Sequence, residues 1–305
     1  MELFRTLVSR PIFNLLEVIY AQIPGHDLGV AIIIFTAFIR IALWPLVKKQ
    51  LHHTKKMRGL QPQLKEIKKA AGGDRQKLAR LQMEFYKEKE IKPFGTIGTM
   101  IVQIPIFIGL YSAVNKLIKD SDSLQTYAYD WVKNLSWIKH INENQDKFDH
   151  QFLGLVDLSQ RGLKAGGGIY LAAVILAAVA AIMQYFQSKS LMIDQAESRK
   201  LKDILKGVAS GEEADQSEMT AAISKGMIIF TPFMTFIFSI SIPSALSLYL
   251  LTSSAVGYLQ QRKVLHKDVE EIEIITNKAI KEESNKKPKP KKAQTSKSNK
   301  KKRRR

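Results

Sequence analysis

Long apolar runs alternate with charged segments along the 305 residues of the chain. About 20 apolar residues, at a helical rise of 1.5 Å each, cross the roughly 30 Å hydrocarbon core of a bilayer. Runs of this length occupy 28–47, 94–114 and 168–186, and a longer run at 227–259 is interrupted by a Ser-Ile-Ser-Ile-Pro-Ser sequence. The pattern predicts an all-α polytopic membrane protein.

The distribution of lysine and arginine decides whether the interrupted run is one span or two. Segment 48–93 holds fourteen basic residues against five acidic ones, and segment 261–305 holds seventeen against six. Basic residues concentrate on the cytoplasmic side of a membrane, and both segments lie there only if the run forms two spans, 227–241 and 243–259. We therefore predict five transmembrane helices, with the N-terminus outside and the C-terminus inside. The last two are short, about 15 residues or roughly 23 Å, so we expect the bilayer to thin around them.

Two amphipathic regions lie outside the predicted spans. In residues 1–24 apolar side chains recur at helical spacing with polar ones opposite, which predicts a helix lying in the membrane interface and bent at Pro11. In 48–93 apolar residues repeat every three or four positions on both sides of the Ala-Gly-Gly-Asp sequence 71–74, a helix stop followed by a cap. This predicts a cytosolic helical hairpin whose basic faces are solvated, rest on anionic lipid or bind a specific partner.

The remaining segments are two loops and a tail. Residues 115–167 form an extracytoplasmic loop with balanced charge, and residues 187–226 form a polar cytosolic loop. The basic cytosolic tail 261–305 becomes low in complexity from about residue 284, which predicts disorder there. A polybasic tail beside a membrane favours anionic lipid. RNA phosphates attract the same charges, although no aromatic residues interleave the lysines to stack on bases.

Arg40 is the single charged residue of the first span. A guanidinium in the hydrocarbon costs at least a few kcal/mol and does not escape by losing its proton. Two compensations are open. Arg40 either snorkels to the near interface, or lies on the floor of a hydrated cavity lined by protein.

Other polar residues within the spans support either packing or such a cavity. Serine and threonine in membranes commonly hydrogen-bond neighbouring helices. If several instead line one hydrophilic groove, its lone fixed cation attracts a carboxylate with loose selectivity. The predicted groove residues are Arg40, Gln103, Gln184, Thr231, Thr235, Ser239 and Tyr249.

The sequence offers little for catalysis. Cysteine is absent, which excludes disulfides and thiol nucleophiles within the chain. No HExxH, GxSxG or glycine-rich phosphate loop occurs, and the adjacent His52 and His53 point to different faces of a helix. We therefore predict no enzyme activity, no cofactor and no metal site.

Several stretches resemble the YidC/Oxa/Alb family of membrane protein insertases. Residues 25–50 resemble the first core span of that family, and the MRGLQPQ sequence of 57–63 resembles the start of its cytosolic hairpin. Gln-Ile-Pro-Ile-Phe at 103–107 resembles the second core span, and 230–249 resembles the paired last spans. The likeness covers roughly 11–119 and 168–262 in order. It departs at Pro243-Ser244-Ala245-Leu246, Leu250 and Ser254, where the family more often has Pro-Ala-Gly-Leu, tryptophan and asparagine.

The resemblance implies a bacterial insertase and chaperone of the short form, without a lipoprotein cysteine or a large periplasmic domain, in the cell membrane. Such a protein inserts nascent small or single-span membrane proteins, alone or with the Sec translocon. Arg40 aligns with the groove arginine that transiently holds an acidic substrate segment. The hairpin is expected to receive substrate, and the basic tail to contact ribosomes. The alternative function is a small-solute or anion channel or transporter with Arg40 as its selectivity charge; a third is a scaffold that tethers ribosomes.

Overall fold

The computed structural model describes residues 2–90, 97–119, 126–143, 149–164, 166–191 and 216–264. Most of the predicted loop 187–226 and nearly all of the predicted tail 261–305 lie outside the described residues. The described helices are, in chain order, a turn at Glu2–Phe4, a π-helical turn at Arg5–Ser9, α1 (Arg10–Gln22), α2 (Leu28–Ala42), α3 (Trp44–Gly59), α4 (Gln61–Ala71), α5 (Arg75–Glu88), α6 (Ile97–Lys119), α7 (Asp130–Lys133), α8 (Ser136–Glu143), α9 (Leu171–Leu191), α10 (Gln216–Ser241) and α11 (244–264). Strands β1 (Gln151–Phe152) and β2 (Val156–Asp157) form a short antiparallel ribbon.

The apolar helices differ in whether they are long enough to span a membrane. Within the described residues, Leu171–Ser190 of α9 is long and apolar enough to cross a bilayer, and only 22% of its apolar window is buried inside the protein. A core helix of a soluble protein would be mostly buried. Val102–Ile118 and Gly226–Ser241 are shorter apolar helices. The chain is mostly helical, as expected for an all-α membrane protein, while the count of five spans stays a prediction.

The predicted first span, 28–47, is bent in the structure. Helix α2 ends at Ala42, α3 begins at Trp44, and the two axes differ by 61°. Pro45 explains the break, because it has no N–H to donate and its ring clashes with the carbonyl group four residues earlier. Arg40 therefore lies in the last turn of α2.

The N-terminal segment packs more tightly than an interfacial helix requires. Helix α1 packs against α2 and α6 and buries Phe13 and Leu16 completely. Its polar residues Asn14 and Glu17 are also buried, each 2% exposed. Asn14 is buried because it binds a distant segment: its side-chain amide donates to the Tyr127 carbonyl (3.1 Å), and its oxygen accepts from the Tyr129 N–H (2.6 Å). Asn14, on the predicted polar face of this helix, thus contacts the segment 127–129.

The helix break at 71–74 is confirmed. Gly72 and Gly73 adopt positive φ angles of 62° and 91°, which favour glycine because it has no Cβ. Asp74 caps α5 by accepting hydrogen bonds from the Gln76 and Lys77 N–H groups at 2.9 and 3.1 Å. Helices α4 and α5 pack against each other across this turn.

Residues 149–164 and 166–170 lie against the ends of several helices. The Phe152 ring lies against Gly29, where an added Cβ would approach it to 2.2 Å. The Leu163 N–H donates to the Ile240 carbonyl (3.0 Å), and the Ser244 N–H donates to the Gln160 carbonyl (2.9 Å). The start of α2 and the α10–α11 turn are therefore held by the same loop.

Candidate functional site around Arg40

Helix α11 supplies the polar partners of Arg40. The guanidinium Nε and Nη2 donate to the Ser253 hydroxyl at 3.0 and 2.5 Å, and the Gln260 amide donates to the Arg40 carbonyl at 3.0 Å. Ser253 is 4% exposed. Helix α2 ends just beyond Arg40, so its last carbonyl groups need donors from elsewhere, and Gln260 supplies one. Arg40 is therefore tied to α11 through both its side chain and its backbone.

The partners of the Arg40 guanidinium are neutral. Within the part of the chain that the structure describes, no carboxylate lies within 4.0 Å of it. A serine hydroxyl satisfies N–H donors without neutralising the charge. The site thus holds a fixed positive charge without an internal counter-charge among the described residues.

A second set of polar contacts continues from Ser253. Tyr249 lies one turn earlier than Ser253 on α11, so the two side chains share a face of the helix. The Gln103 amide of α6 donates to Tyr249, which is 2% exposed. The structure therefore brings together three predicted groove residues, Arg40, Gln103 and Tyr249, with Ser253 between them.

Because Gly257 has no side chain, the Gln187 side chain approaches the α11 backbone beside the guanidinium. A Cβ added at Gly257 would lie 2.3 Å from the Gln187 amide nitrogen and 3.5 Å from Arg40 Nη1. Two N–H donors, one from α9 and one from α2, therefore approach the same point above the α11 backbone. We call Arg40, Gln103, Gln187, Tyr249, Ser253 and Gly257 the Arg40 site.

The remaining predicted groove residues serve other contacts. Gln184 of α9 accepts a hydrogen bond from the Ser254 hydroxyl at 2.6 Å. Thr231 and Thr235 are partly buried on α10, and the Ser239 carbonyl accepts from the Ser247 hydroxyl at 3.2 Å. The structure records no hydrogen bond from these four residues to Arg40 within the described ranges. Their place in a groove stays a prediction.

The sequence analysis missed four residues around Arg40, namely Gln187, Ser253, Gly257 and Gln260. Tyr249, Ser253, Gly257 and Gln260 follow one another at intervals of four, four and three, so they share one face of α11. Starting from the predicted residue Tyr249, this spacing in the sequence points to the three missed residues on α11. Gln187 carried no such signal, because its relation to Gly257 depends on how α9 packs against α11.

Apolar helices that place a charged arginine among neutral polar side chains are typical of helical membrane proteins with a functional interior site. Residues 19–271 match the family model described as the 60Kd inner membrane protein, so the chain belongs to that family.

Relatives named "Membrane protein insertase YidC" are similar to parts of the chain. The protein of Tolumonas auensis is 39% identical over 104 residues, 34% of this chain and 19% of the relative. That of Psychromonas ingrahamii is 42% identical over 129 residues, 42% of this chain and 22% of the relative. That of Azotobacter vinelandii is 35% identical over 133 residues, 44% of this chain and 23% of the relative. The matched part of the chain thus spans about a fifth of the length of these relatives.

Proposed function

We propose that the chain is a membrane protein insertase and chaperone whose Arg40 site receives acidic segments of its substrates. Membership of the inner membrane protein family and the names of the relatives support this class. The mechanism rests on one observation. The Arg40 guanidinium donates to a neutral hydroxyl, and no carboxylate lies beside it among the residues that the structure describes.

A substrate carboxylate would supply the missing counter-charge. Two unit charges 4 Å apart attract by about 4 kcal/mol at an effective dielectric constant of 20. The Ser253 hydroxyl holds the guanidinium in the absence of substrate and yields to a carboxylate, which forms stronger hydrogen bonds with it. The attraction is moderate, so the acidic segment is held only transiently.

The lipid and the membrane potential drive the remaining steps of insertion. The apolar helix of the substrate moves into lipid, and a membrane potential that is positive outside draws the acidic segment outward by about 2.3 kcal/mol per charge per 100 mV. The predicted topology of five spans places the α4–α5 hairpin in the cytosol, where it receives substrate. The groove is proposed to extend from Arg40 towards Gln184, Thr231, Thr235 and Ser239.

The proposed partners follow from charge and family. They are nascent membrane proteins, the Sec translocon, anionic lipids and ribosomes. Ribosomes and anionic lipids would be reached through the basic tail, which carries seventeen basic residues in 261–305. Deletion of 284–305 is expected to impair insertion only in part, whereas a protein that merely tethers ribosomes would lose its function.

Reconstitution into liposomes tests the proposal. A short single-span substrate with an acidic N-terminal tail is added, and insertion is scored by protection of the tail from protease. We expect protection with the wild-type protein and with Arg40→Lys, and loss of protection with Arg40→Ala. Arg5→Ala is the matched control, since its side chain is 53% exposed and pairs with Glu2.

Two other results would change the proposal. Normal insertion by Arg40→Ala would keep an insertase but remove Arg40 from its mechanism. Absence of protection with wild-type protein, together with an anion flux that Arg40→Ala abolishes, would favour the channel or transporter.

A further inference from the structure

The loop that the structure describes over 149–164 and 166–170 has two turns, which lie at the level where the helices end. The Leu153 N–H donates to Asp27 (2.6 Å), the same carboxylate that caps α2 through the Val30 N–H (2.8 Å). The Leu163 N–H donates to the Ile240 carbonyl (3.0 Å) at the end of α10. The loop is thus fixed to the helix ends at both turns.

Apolar side chains project outward from these turns. Leu153 and Leu155 in the β1–β2 turn are 62% and 78% exposed, and Leu163 and Ile169 in the next turn are 49% and 69% exposed. The loop has an inner face as well, because Leu158 is fully buried. The exposed residues are therefore additional to those that attach the loop to the protein.

This apolar surface is continuous with that of α9. Leu171, Ile175 and Val179 are 65%, 55% and 44% exposed and recur every four residues, so they form one outward ridge of the candidate span. Ile169 directly precedes this ridge in the chain and pairs with Leu163 across a bridge. The exposed apolar surface of α9 thus extends onto the turn.

Cationic side chains border the apolar turn. Arg161 and Lys164 are exposed beside Leu163. The Lys164 ammonium lies 5.7 Å from the centre of the Tyr170 ring. Lysine and arginine beside apolar and aromatic residues are typical of segments at the headgroup level, where the cations reach lipid phosphates.

We propose that the two turns, with Leu153, Leu155, Leu163 and Ile169 at their tips, insert into the phospholipid leaflet on the side where α9 begins. The inference rests on the proposed membrane placement of α9. Because the same loop is hydrogen-bonded to the α10–α11 turn, its depth in the leaflet sets the depth of that turn. The loop therefore holds the ends of the two short predicted spans in the headgroup region.

The absence of cysteine from the chain allows a direct test. Leu155→Cys and Ile169→Cys are each labelled with the fluorophore NBD in the full-length protein, which is then reconstituted into phosphatidylcholine–phosphatidylglycerol vesicles. Emission wavelength reports polarity, and lipids brominated near the headgroups report contact with lipid. Asp130→Cys, whose native side chain is 98% exposed, is the control in water, and Val179→Cys is the control within the span.

We expect both loop labels to emit at shorter wavelength than the Asp130 label and to be quenched several-fold more strongly by brominated lipid. A water-exposed spectrum at 155 and 169, with a lipid-quenched label at 179, would overturn the insertion of the turns but not the membrane placement. A water-exposed label at 179 would overturn the membrane placement, and the inference with it. Loop labels shielded from water but not quenched would show a protein contact and overturn the lipid assignment.

Discussion

Two ionisable groups of the interior differ in how their charge is accommodated: Arg40 of α2 is partly buried, and Glu17 of α1 is 2% exposed. Arg40 donates to Ser253, so its charge is retained and solvated by a neutral hydroxyl. Both carboxylate oxygens of Glu17 are buried without a hydrogen-bond partner among the described residues, and burial raises its pKa to about 9. Glu17 lies outside the proposed spans, and by keeping its proton it avoids the cost of burying a charge.

The difference shows which charge the interior is arranged to keep. An arginine does not titrate near neutral pH, so the fold must supply hydrogen-bond acceptors around it. A buried glutamate becomes neutral by taking up a proton, so it needs no counter-charge. The described interior thus presents a positive charge and no negative one, which is the asymmetry that a site for acidic segments requires.

Reversal of the charge at Arg40 tests this asymmetry with the largest expected effect. Arg40→Glu should abolish insertion of a substrate with an acidic tail, a loss of at least about a hundredfold in initial rate, given that about 1.4 kcal/mol corresponds to a factor of ten. The same variant should insert a matched substrate with a lysine tail better than the wild-type protein does. Protease protection of the two substrates measures both rates. Equal loss for both tails would indicate damage to the fold rather than an electrostatic mechanism.

Crowding the cation without removing it should have the next largest effect. Gly257→Leu places a branched side chain where the Gln187 amide and Arg40 Nη1 converge, so we expect about a tenfold or greater loss of insertion. Gly257→Ala should cost less, because its methyl group meets only the end of the flexible Gln187 side chain. Gly226→Ala is the matched control, since no atom lies within 4 Å of its added Cβ. Full activity of Gly257→Leu would show that the space above Gly257 is not used.

Removal of the buried acid should change stability more than activity. Between pH 4.5, its ordinary pKa, and about 9, folded Glu17 keeps a proton that the unfolded chain releases, so stability falls as pH rises across this window. Glu17→Gln carries no such proton. Its free energy of unfolding should depend less on pH and exceed that of the wild-type protein above neutral pH by a few kcal/mol.

Thermal unfolding in detergent between pH 5 and 9 measures this effect. Glu2→Gln is the control, because the Glu2 side chain is 76% exposed. A pH dependence in Glu17→Gln equal to that of the wild-type protein would mean that Glu17 is already ionised in the fold.

Local signals in the sequence predicted part of this picture. The stop and cap at 71–74 are confirmed because Gly72, Gly73 and Asp74 act through their own backbone and nearest neighbours. The apolar run through Arg40 was predicted as continuous, although Pro45 bends it, because hydropathy does not register a missing N–H group.

Contacts between residues far apart in the chain could not be predicted from the sequence. The sequence predicts a polar face on the N-terminal helix, and Asn14 on that face binds the backbone of Tyr127 and Tyr129, more than 110 positions away. Arg40 was recognised as needing compensation, yet its partner Ser253 is 213 positions distant. Helical spacing from Tyr249 points to Ser253 as a residue on the same face, but only packing of α2 on α11 shows which of the polar residues meets the cation.

Ser253 itself gives the smallest expected effect on insertion. Ser253→Ala removes the neutral hydrogen-bond acceptor and leaves the charge of Arg40 in place, so stability should fall by about 1–3 kcal/mol while insertion of acidic substrates stays within about threefold of the wild-type rate. Ser253→Thr keeps the hydroxyl and should restore most of the stability. Thermal unfolding and protease protection are measured on the same preparations. If Ser253→Ala lost insertion as completely as Arg40→Ala, the hydroxyl would be needed to orient the guanidinium for substrate, and charge alone would not account for the site.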